Sequence, residues 1–265
     1  MPQRTVRTLL FRRTGPDAAF GRRLVLSVTV TAVAAVPFAL ALVLVTSGWP
    51  PLHRLDLEAA EGMHRAVLDR PVVVRVLEFL TGVVWDPVTM RLAVAALVVW
   101  LLTRRAWRLA AWAGVTATAG GLTGLLVKSM VERARPHLPD PVSHAPGFSF
   151  PSGHAMTATT SCAVLLLVLL PLVPSSRRFL AWVLAVTSVV GVGFTRVALG
   201  VHWVSDVVGG WLLGLAVVTA TTLVFETWRT DAGLRRTDPA DEGLEPELRS
   251  SAPEPALAPR RGSDG

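Results

Sequence analysis

Three short stretches of the chain hold side chains whose types and spacing suit chemistry. His202 and Asp206 stand four residues apart at the start of an apolar run, which puts them on one helical face. An aspartate bonded to one ring nitrogen fixes the imidazole tautomer and leaves the other nitrogen free to attack. This is the orienting logic of a catalytic triad, with His202 as the candidate nucleophile. Arg196 stands shortly before the pair. The second stretch, Pro151-Ser152-Gly153-His154, directly precedes another apolar run. Where a loop meets a helix start, free N–H groups and the positive end of the helix dipole favour an anion. Ser152 can cap that helix or donate to a phosphate oxygen, and Gly153 lets a ligand approach the backbone. The third stretch is Lys128 and Arg135, followed by Pro136. Seven residues make about two helical turns, so both cations are expected on one helical face. Arginine grips an oxyanion through a planar fork and lysine as a point charge.

Each stretch also has a plain reading. The cations can be interfacial anchors reaching for headgroups. Ser152 can be a simple cap with His154 beside it by chance. The His202–Asp206 pair can be a structural hydrogen bond or half of a metal site. A metal needs further ligands, and nothing fixes the spacing of His137, Asp140 and His144, the residues at hand. The expectation is therefore no metal and no cofactor.

The elements that must position these residues are membrane spans. Of 265 residues, 51% are hydrophobic and only 17% charged, with mean hydropathy +0.49. The apolar residues come in blocks of about twenty, the length that crosses a bilayer. Six runs stand out: 24–46, 87–102, 107–130, 155–173, 179–198 and 203–225. The first is too long for a signal-peptide core and reads as a retained span. Between runs one and two, residues 52–84 mix apolar positions with His and charged residues, the pattern of amphipathic segments at the membrane surface. The fold expected is all-α: a six-transmembrane-helix bundle with interfacial segments between its first two helices. A basic arm (1–23) precedes the membrane domain (24–226, motif core 128–206). A tail (227–265) of mixed charge with Pro, Gly and Ser reads as disordered. The single cysteine, Cys162, lies inside a run and reads as a packing residue, which rules out a disulfide framework within the chain.

The net charge of +7 could suggest nucleic acid, but its distribution argues otherwise. Lys128 is the only lysine among 26 basic residues, and the arginines gather in short flanks between apolar runs. Such flanks set membrane topology. The arm carries Arg4, Arg7, Arg12, Arg13, Arg22 and Arg23; the loop after span two Arg104, Arg105 and Arg108; the loop after span four Arg177 and Arg178; the tail Arg229, Arg235 and Arg236. In a six-span chain all of these share one side, expected to be the cytoplasm. A multi-pass protein of the cell membrane follows, with both termini cytoplasmic. Trp49, Trp85, Trp107, Trp203 and Trp228 lie near span ends, as interfacial belt residues do. Lys128 and Arg196 end spans three and five, while His154 and His202 begin spans four and six. All four then fall at the extracytoplasmic face, where unrelated anchors would scatter to both.

Taken together, Lys128-x6-Arg135-Pro136, Pro151-Ser152-Gly153-His154 and Arg196-x5-His202-x3-Asp206 resemble the three-part signature of the type 2 phosphatidic acid phosphatase superfamily. That superfamily also contains bacterial acid phosphatases, glucose-6-phosphatase and vanadium haloperoxidases. One departure is visible: the third motif usually opens Ser-Arg, and here it is Thr195-Arg196. Thr keeps the hydroxyl. The resemblance implies that Lys128, Arg135 and Arg196 bind phosphate together with Ser152 and the Gly153 backbone. It implies that His202 attacks phosphorus to form a phosphohistidine, that Asp206 orients His202, and that His154 protonates the leaving oxygen. The expected substrate is a lipid phosphate or diphosphate, such as phosphatidate, phosphatidylglycerophosphate or a polyprenyl diphosphate, held with its tail in the bilayer. The expected partners are that lipid and the membrane, without nucleic acid; neither the lipid nor the oligomeric state is readable. A lipid phosphotransferase using the same intermediate, a haloperoxidase, and a non-catalytic transporter or scaffold are the alternatives.

Overall fold

A computed structural model describes residues 16–138 and 145–231. The start of the basic arm, most of the tail, and Asp140 and His144 lie outside them. Eight α-helices follow in order: α1 (Pro16–Thr46), α2 (Pro50–Leu68), α3 (Pro71–Phe79), α4 (Pro87–Thr103), α5 (Trp107–Val131), α6 (Gly153–Leu169), α7 (Ser175–Ala198) and α8 (Val204–Asp231). A π-helical turn, Leu80–Val84, joins α3 to α4, and a 3₁₀ turn, Leu170–Leu172, ends α6. No strand occurs among the described residues. α1 begins ahead of the apolar run at 24, and α8 stays helical beyond 226 to Asp231.

Local chemistry sets these limits. Prolines open α2, α3 and α4 at their first turn, where the missing N–H costs nothing. Asp86 caps α4 by accepting from the N–H groups of Val88 (2.7 Å) and Thr89 (3.4 Å). α5 stops at Val131, with Glu132 left-handed at φ 49°. That left-handed residue ends the helix, and Arg135, which precedes Pro136, is itself disfavoured in the α region.

Among the described residues, five helices are long and apolar enough to cross a membrane: Pro71–Thr103 taken together, Trp107–Val131, Gly153–Leu172, Ser175–Ala198 and Val204–Glu226. Thr31–Thr46 and Pro50–Leu68 pass only as a pair bent by 93°, a sixth span if counted as one. The second span therefore reaches back to Pro71, rather than starting at Pro87. Arg75 and Glu78 interrupt an otherwise apolar stretch there, which is why its edge was hard to place from sequence. The segment between the first two spans is also more than a surface helix. α2 packs on α7 and α8 and buries Asp56, Ala60, His64 and Val67.

α6 is the centre of the bundle, touching α4, α5, α7 and α8, while α1 lies along α8. Lipid offers helices no hydrophobic drive to associate, so contact depends on small residues and polar pairs. One such pair is Thr116 Oγ1 to Thr221 Oγ1 at 2.9 Å, joining α5 to α8. At the end of the bundle that carries the functional residues, Gly210 of α8 lies against the start of α6. A Cβ there would stand 2.6 Å from the Ser152 carbonyl oxygen and 3.2 Å from the Met156 nitrogen. Both are backbone atoms and cannot swing away. Gly210→Ala should therefore cost about 1–3 kcal/mol. A lower thermal unfolding midpoint in detergent would show it, and an unchanged midpoint would refute this tight seat.

Candidate active site

The ends of α5, α6, α7 and α8 bring the three motifs to one place. His202 lies in the short turn between α7 and α8, is 2% exposed, and sits two residues before α8 rather than on it. Its Nδ1 is 3.2 Å from Asp206 Oδ2, so the four-residue spacing delivers the expected contact. Asp206 is fully buried and has other donors. The Trp203 N–H reaches Oδ2 at 2.9 Å, the Ser149 hydroxyl donates to the same oxygen, and Arg133 Nη1 reaches Oδ1 at 2.6 Å. A carboxylate held this firmly keeps the Nδ1–H tautomer in place and leaves Nε2 as the unprotonated nitrogen. Nε2 faces Arg135, whose Nη1 is 3.1 Å away.

Burial pushes the His202 imidazole down to about 4, opposed by the hydrogen bond and charge of Asp206 and reinforced by Arg135 and Arg196. The ring is therefore neutral at physiological pH, the state a nucleophile needs. Burial also lowers Arg135 from its ordinary value, against the pull of Asp206.

Lys128 and Arg135 do not share a helical face. The helix ends at Val131, and Arg135 lies in the irregular segment beyond it. They meet nonetheless, on one backbone turn. Lys128 Nζ donates to the Phe148 carbonyl at 2.7 Å. Arg135 donates to the carbonyls of Gly147 (2.9 Å), Pro146 (3.1 Å), Phe148 (3.2 Å) and Val201 (2.7 Å). Lys128 thus turns to Phe148 rather than pairing with Glu132, which is exposed.

Arg196 is 6% exposed on the last turn of α7. Nη1 makes one long bond to Thr81 Oγ1 (3.4 Å), and Nε has no hydrogen-bond partner among the described residues. Its charge interacts with those of Arg135 and Asp86. Ser152 is the N-cap of α6, its hydroxyl accepting from Ala155 N at 3.5 Å. Space within 4 Å of where a Gly153 Cβ would sit is open. The first turn of a helix leaves N–H groups without intrahelical partners, and α6 begins here. His154, half-buried on that turn, lies within the electrostatic reach of Arg196, His202, Arg135 and Lys128. Lys128, Arg135, Arg196, His154 and His202 thus lie within electrostatic reach of one another at the end of the bundle where α6 starts.

Residues 108–230, which contain every one of these groups, match the PAP2 superfamily. This segment is a PAP2 superfamily domain. Over 96 residues, the chain is 41% identical to phosphatidylglycerophosphatase B of Bacillus subtilis, covering 36% of this chain and 47% of that protein. Over 67 residues it is 42% identical to the undecaprenyl-diphosphatase of Sulfolobus acidocaldarius, covering 25% of this chain and 29% of the relative. The chain thus spans less than half the length of either relative. The fold resembles the crystal structure of a transmembrane PAP2-type phosphatidylglycerolphosphate phosphatase from Bacillus subtilis. The TM-score is 0.62 at 23% identity, over 77% of this chain and 98% of that one.

Other site residues of the PAP2 domain and its neighbour α2 escaped the sequence reading. Arg133 bridges Asp206 and Asp56, the latter at 2.8 Å, and also donates to Ser205 Oγ at 2.7 Å. Ser205 binds Asp56 in turn through its N–H (2.9 Å) and its hydroxyl (2.5 Å). A usable signal existed: Asp56, Ala60, His64 and Val67 recur on one face of α2, as a buried stripe does. Trp203 is not a belt residue. It is 8% exposed, donates Nε1 to the Ala134 carbonyl at 3.0 Å, and lies under the Arg133 guanidinium. Trp49 and Trp107 are exposed at helix ends, as a belt requires. Trp85 packs against Gly191. Among the described residues, no three His, Cys, Asp or Glu side chains gather as a metal-binding group, and His137 is exposed.

Proposed function

We propose that the chain is an integral-membrane phosphatase that hydrolyses a lipid phosphate or diphosphate through a phosphohistidine on His202. The observation that carries this reading is a buried imidazole with Asp206 on Nδ1 and the Arg135 guanidinium beside Nε2. A phosphate oxygen accepts more strongly than a carbonyl, so it exchanges with the 146–148 carbonyls on Lys128 and Arg135. The unpartnered Nε of Arg196 and the α6 N-terminus supply further donors.

Chemistry then runs in two steps. Nε2 of His202 attacks phosphorus as the bond from phosphorus to the leaving oxygen breaks, and His154 gives that oxygen its proton. Water next attacks phosphorus, surrendering a proton to His154, and the phosphorus–nitrogen bond breaks to restore His202 and free phosphate. Negative charge spread over three equatorial oxygens is met by fixed cations and N–H groups, which do most of the work. They supply the positive charge a metal otherwise brings, and the reaction is metal-independent.

Topology supports access from outside the cell. Arg104, Arg105, Arg177 and Arg178 lie at the opposite ends of the spans from His154 and His202, and such basic flanks stay in the cytoplasm. The headgroup then reaches His202 from the extracytoplasmic face while the tail stays in the bilayer. The names of the two relatives favour a phosphatidylglycerophosphate or a polyprenyl diphosphate. A panel of phosphatidate, phosphatidylglycerophosphate and polyprenyl diphosphate, assayed in detergent with chelator present, should release phosphate from at least one. Silence across the whole panel contradicts a phosphatase. Activity that vanishes only with chelator contradicts the metal-free mechanism.

A further inference from the structure

Two carboxylates share one guanidinium beside the proposed nucleophile. Arg133 reaches Asp206 Oδ1 at 2.6 Å and Asp56 Oδ2 at 2.8 Å, with both carboxylates almost wholly buried. Asp56 comes from α2, outside the three motifs and outside the matched segment. Alone, Arg133 would neutralise Asp206 and weaken its hold on His202. With Asp56 present, two carboxylates and one guanidinium leave the trio one net negative charge. Asp56 is itself anchored by both donors of Ser205, so its charge is fixed against Arg133. Building such a cluster is costly, since buried ion pairs are weak stabilisers at best.

We propose that Asp56 is a positioning residue: by sharing Arg133, it leaves the Asp206 carboxylate charged toward His202. The ring nitrogen that attacks phosphorus becomes positive as it does so, and that charge is met through Nδ1–H by Asp206. α2 is thereby a working part of the site. This inference rests on the phosphohistidine reading above.

The groups around His202 come from every neighbouring element. They are Asp206 and Ser205 of α8, Arg196 of α7, His154 of α6, Lys128 of α5, Arg133 and Arg135 after α5, Ser149 before α6, and Asp56 and His64 of α2. His64 faces the Ala198 carbonyl at 3.3 Å. Asp56→Asn removes one negative charge from this set and adds none. The reactive imidazole is neutral, so wild-type activity rises with pH through about 4, where His202 titrates. Less negative charge near the ring lowers that point further and makes the nitrogen a poorer nucleophile.

The test compares wild type, His202→Ala, Asp56→Asn, Arg133→Met and the double variant Asp56→Asn/Arg133→Met on the best substrate of the panel. Asp56→Asn should lower kcat about ten- to a hundredfold, the loss of a charge-assisted hydrogen bond. KM should change little, and the acid limb should move to lower pH. The double variant should recover much of that kcat, because Asp206 again carries an unopposed charge. Asp206 in that variant keeps the Trp203 N–H, the Ser149 hydroxyl and His202 as hydrogen-bond partners, and helix content and elution volume in detergent check that each variant is folded. Losses that simply add, or an unmoved acid limb, overturn the positioning role and leave Asp56 structural. A His202→Ala protein as active as wild type brings down the phosphohistidine reading and this inference together. A dead His202→Ala beside a fully active Asp56→Asn brings down this inference alone.

Discussion

His202→Ala should release no detectable phosphate from any lipid phosphate while folding and inserting as the wild type does. Removing a covalent nucleophile costs up to about a million-fold in kcat in enzymes whose catalytic groups act as a unit. The fold survives because the ring is not what holds its surroundings together. Asp206 keeps Arg133, the Ser149 hydroxyl and the Trp203 N–H. Arg135 keeps its carbonyl acceptors. The cavity left behind lies at a loop between α7 and α8, away from the helix contacts of the bundle core. Helix content by circular dichroism and the elution volume in detergent should match wild type. Undiminished turnover in that variant rules out His202 as nucleophile.

Arg196→Gln should lower kcat/KM by about a hundred- to a thousandfold, the effect of removing one preorganised donor from a charged transition state. The same substitution should leave the thermal midpoint unchanged or raise it. Buried guanidinium N–H groups normally find partners, and an orphan is expensive. Among the described residues Nε has none, and Nη1 has only a 3.4 Å bond to Thr81. Such a group reduces stability and is retained for what it binds, a pattern common at functional sites. A structural arginine gives the opposite result: lower stability with kcat/KM intact. Measuring both quantities on one preparation separates the two roles.

Much of this was legible in the sequence because hydropathy and covalent spacing act locally. Six apolar runs correspond to α1, α4, α5, α6, α7 and α8, and the end of each run tells which side of the bundle a residue joins. Lys128, His154, Arg196 and His202 therefore fall at one end without any knowledge of tertiary contacts. The His202–Asp206 pair was readable because four residues close the distance even when His202 precedes the helix.

The failures are of a different kind. The spacing of Lys128 and Arg135 predicts one helical face, but the helix ends at Val131, before Arg135. The helical face gave the right company for the wrong reason, since the two cations meet through the 146–148 backbone. Arg133 was passed over because its partners, Asp56 and Asp206, lie 77 and 73 residues away. No local pattern encodes such pairs. The sequence of α2 suggests a surface segment because five charged residues and two histidines are spread among its apolar ones. The burial of Asp56 and His64 depends on α7 and α8 arriving beneath them. Trp203 was assigned to the belt by its position at a span end, yet a hydrogen bond to Ala134 draws it inside.

The most direct test of the central claim is to find the phosphate on the enzyme during turnover. The protein is mixed with an isotopically labelled lipid phosphate that it hydrolyses, quenched in base within the first turnover, and digested for mass spectrometry. The account predicts a phosphorylated peptide containing His202, absent from the His202→Ala protein. Label on another residue, or hydrolysis at full rate with no labelled peptide at any time, would contradict it.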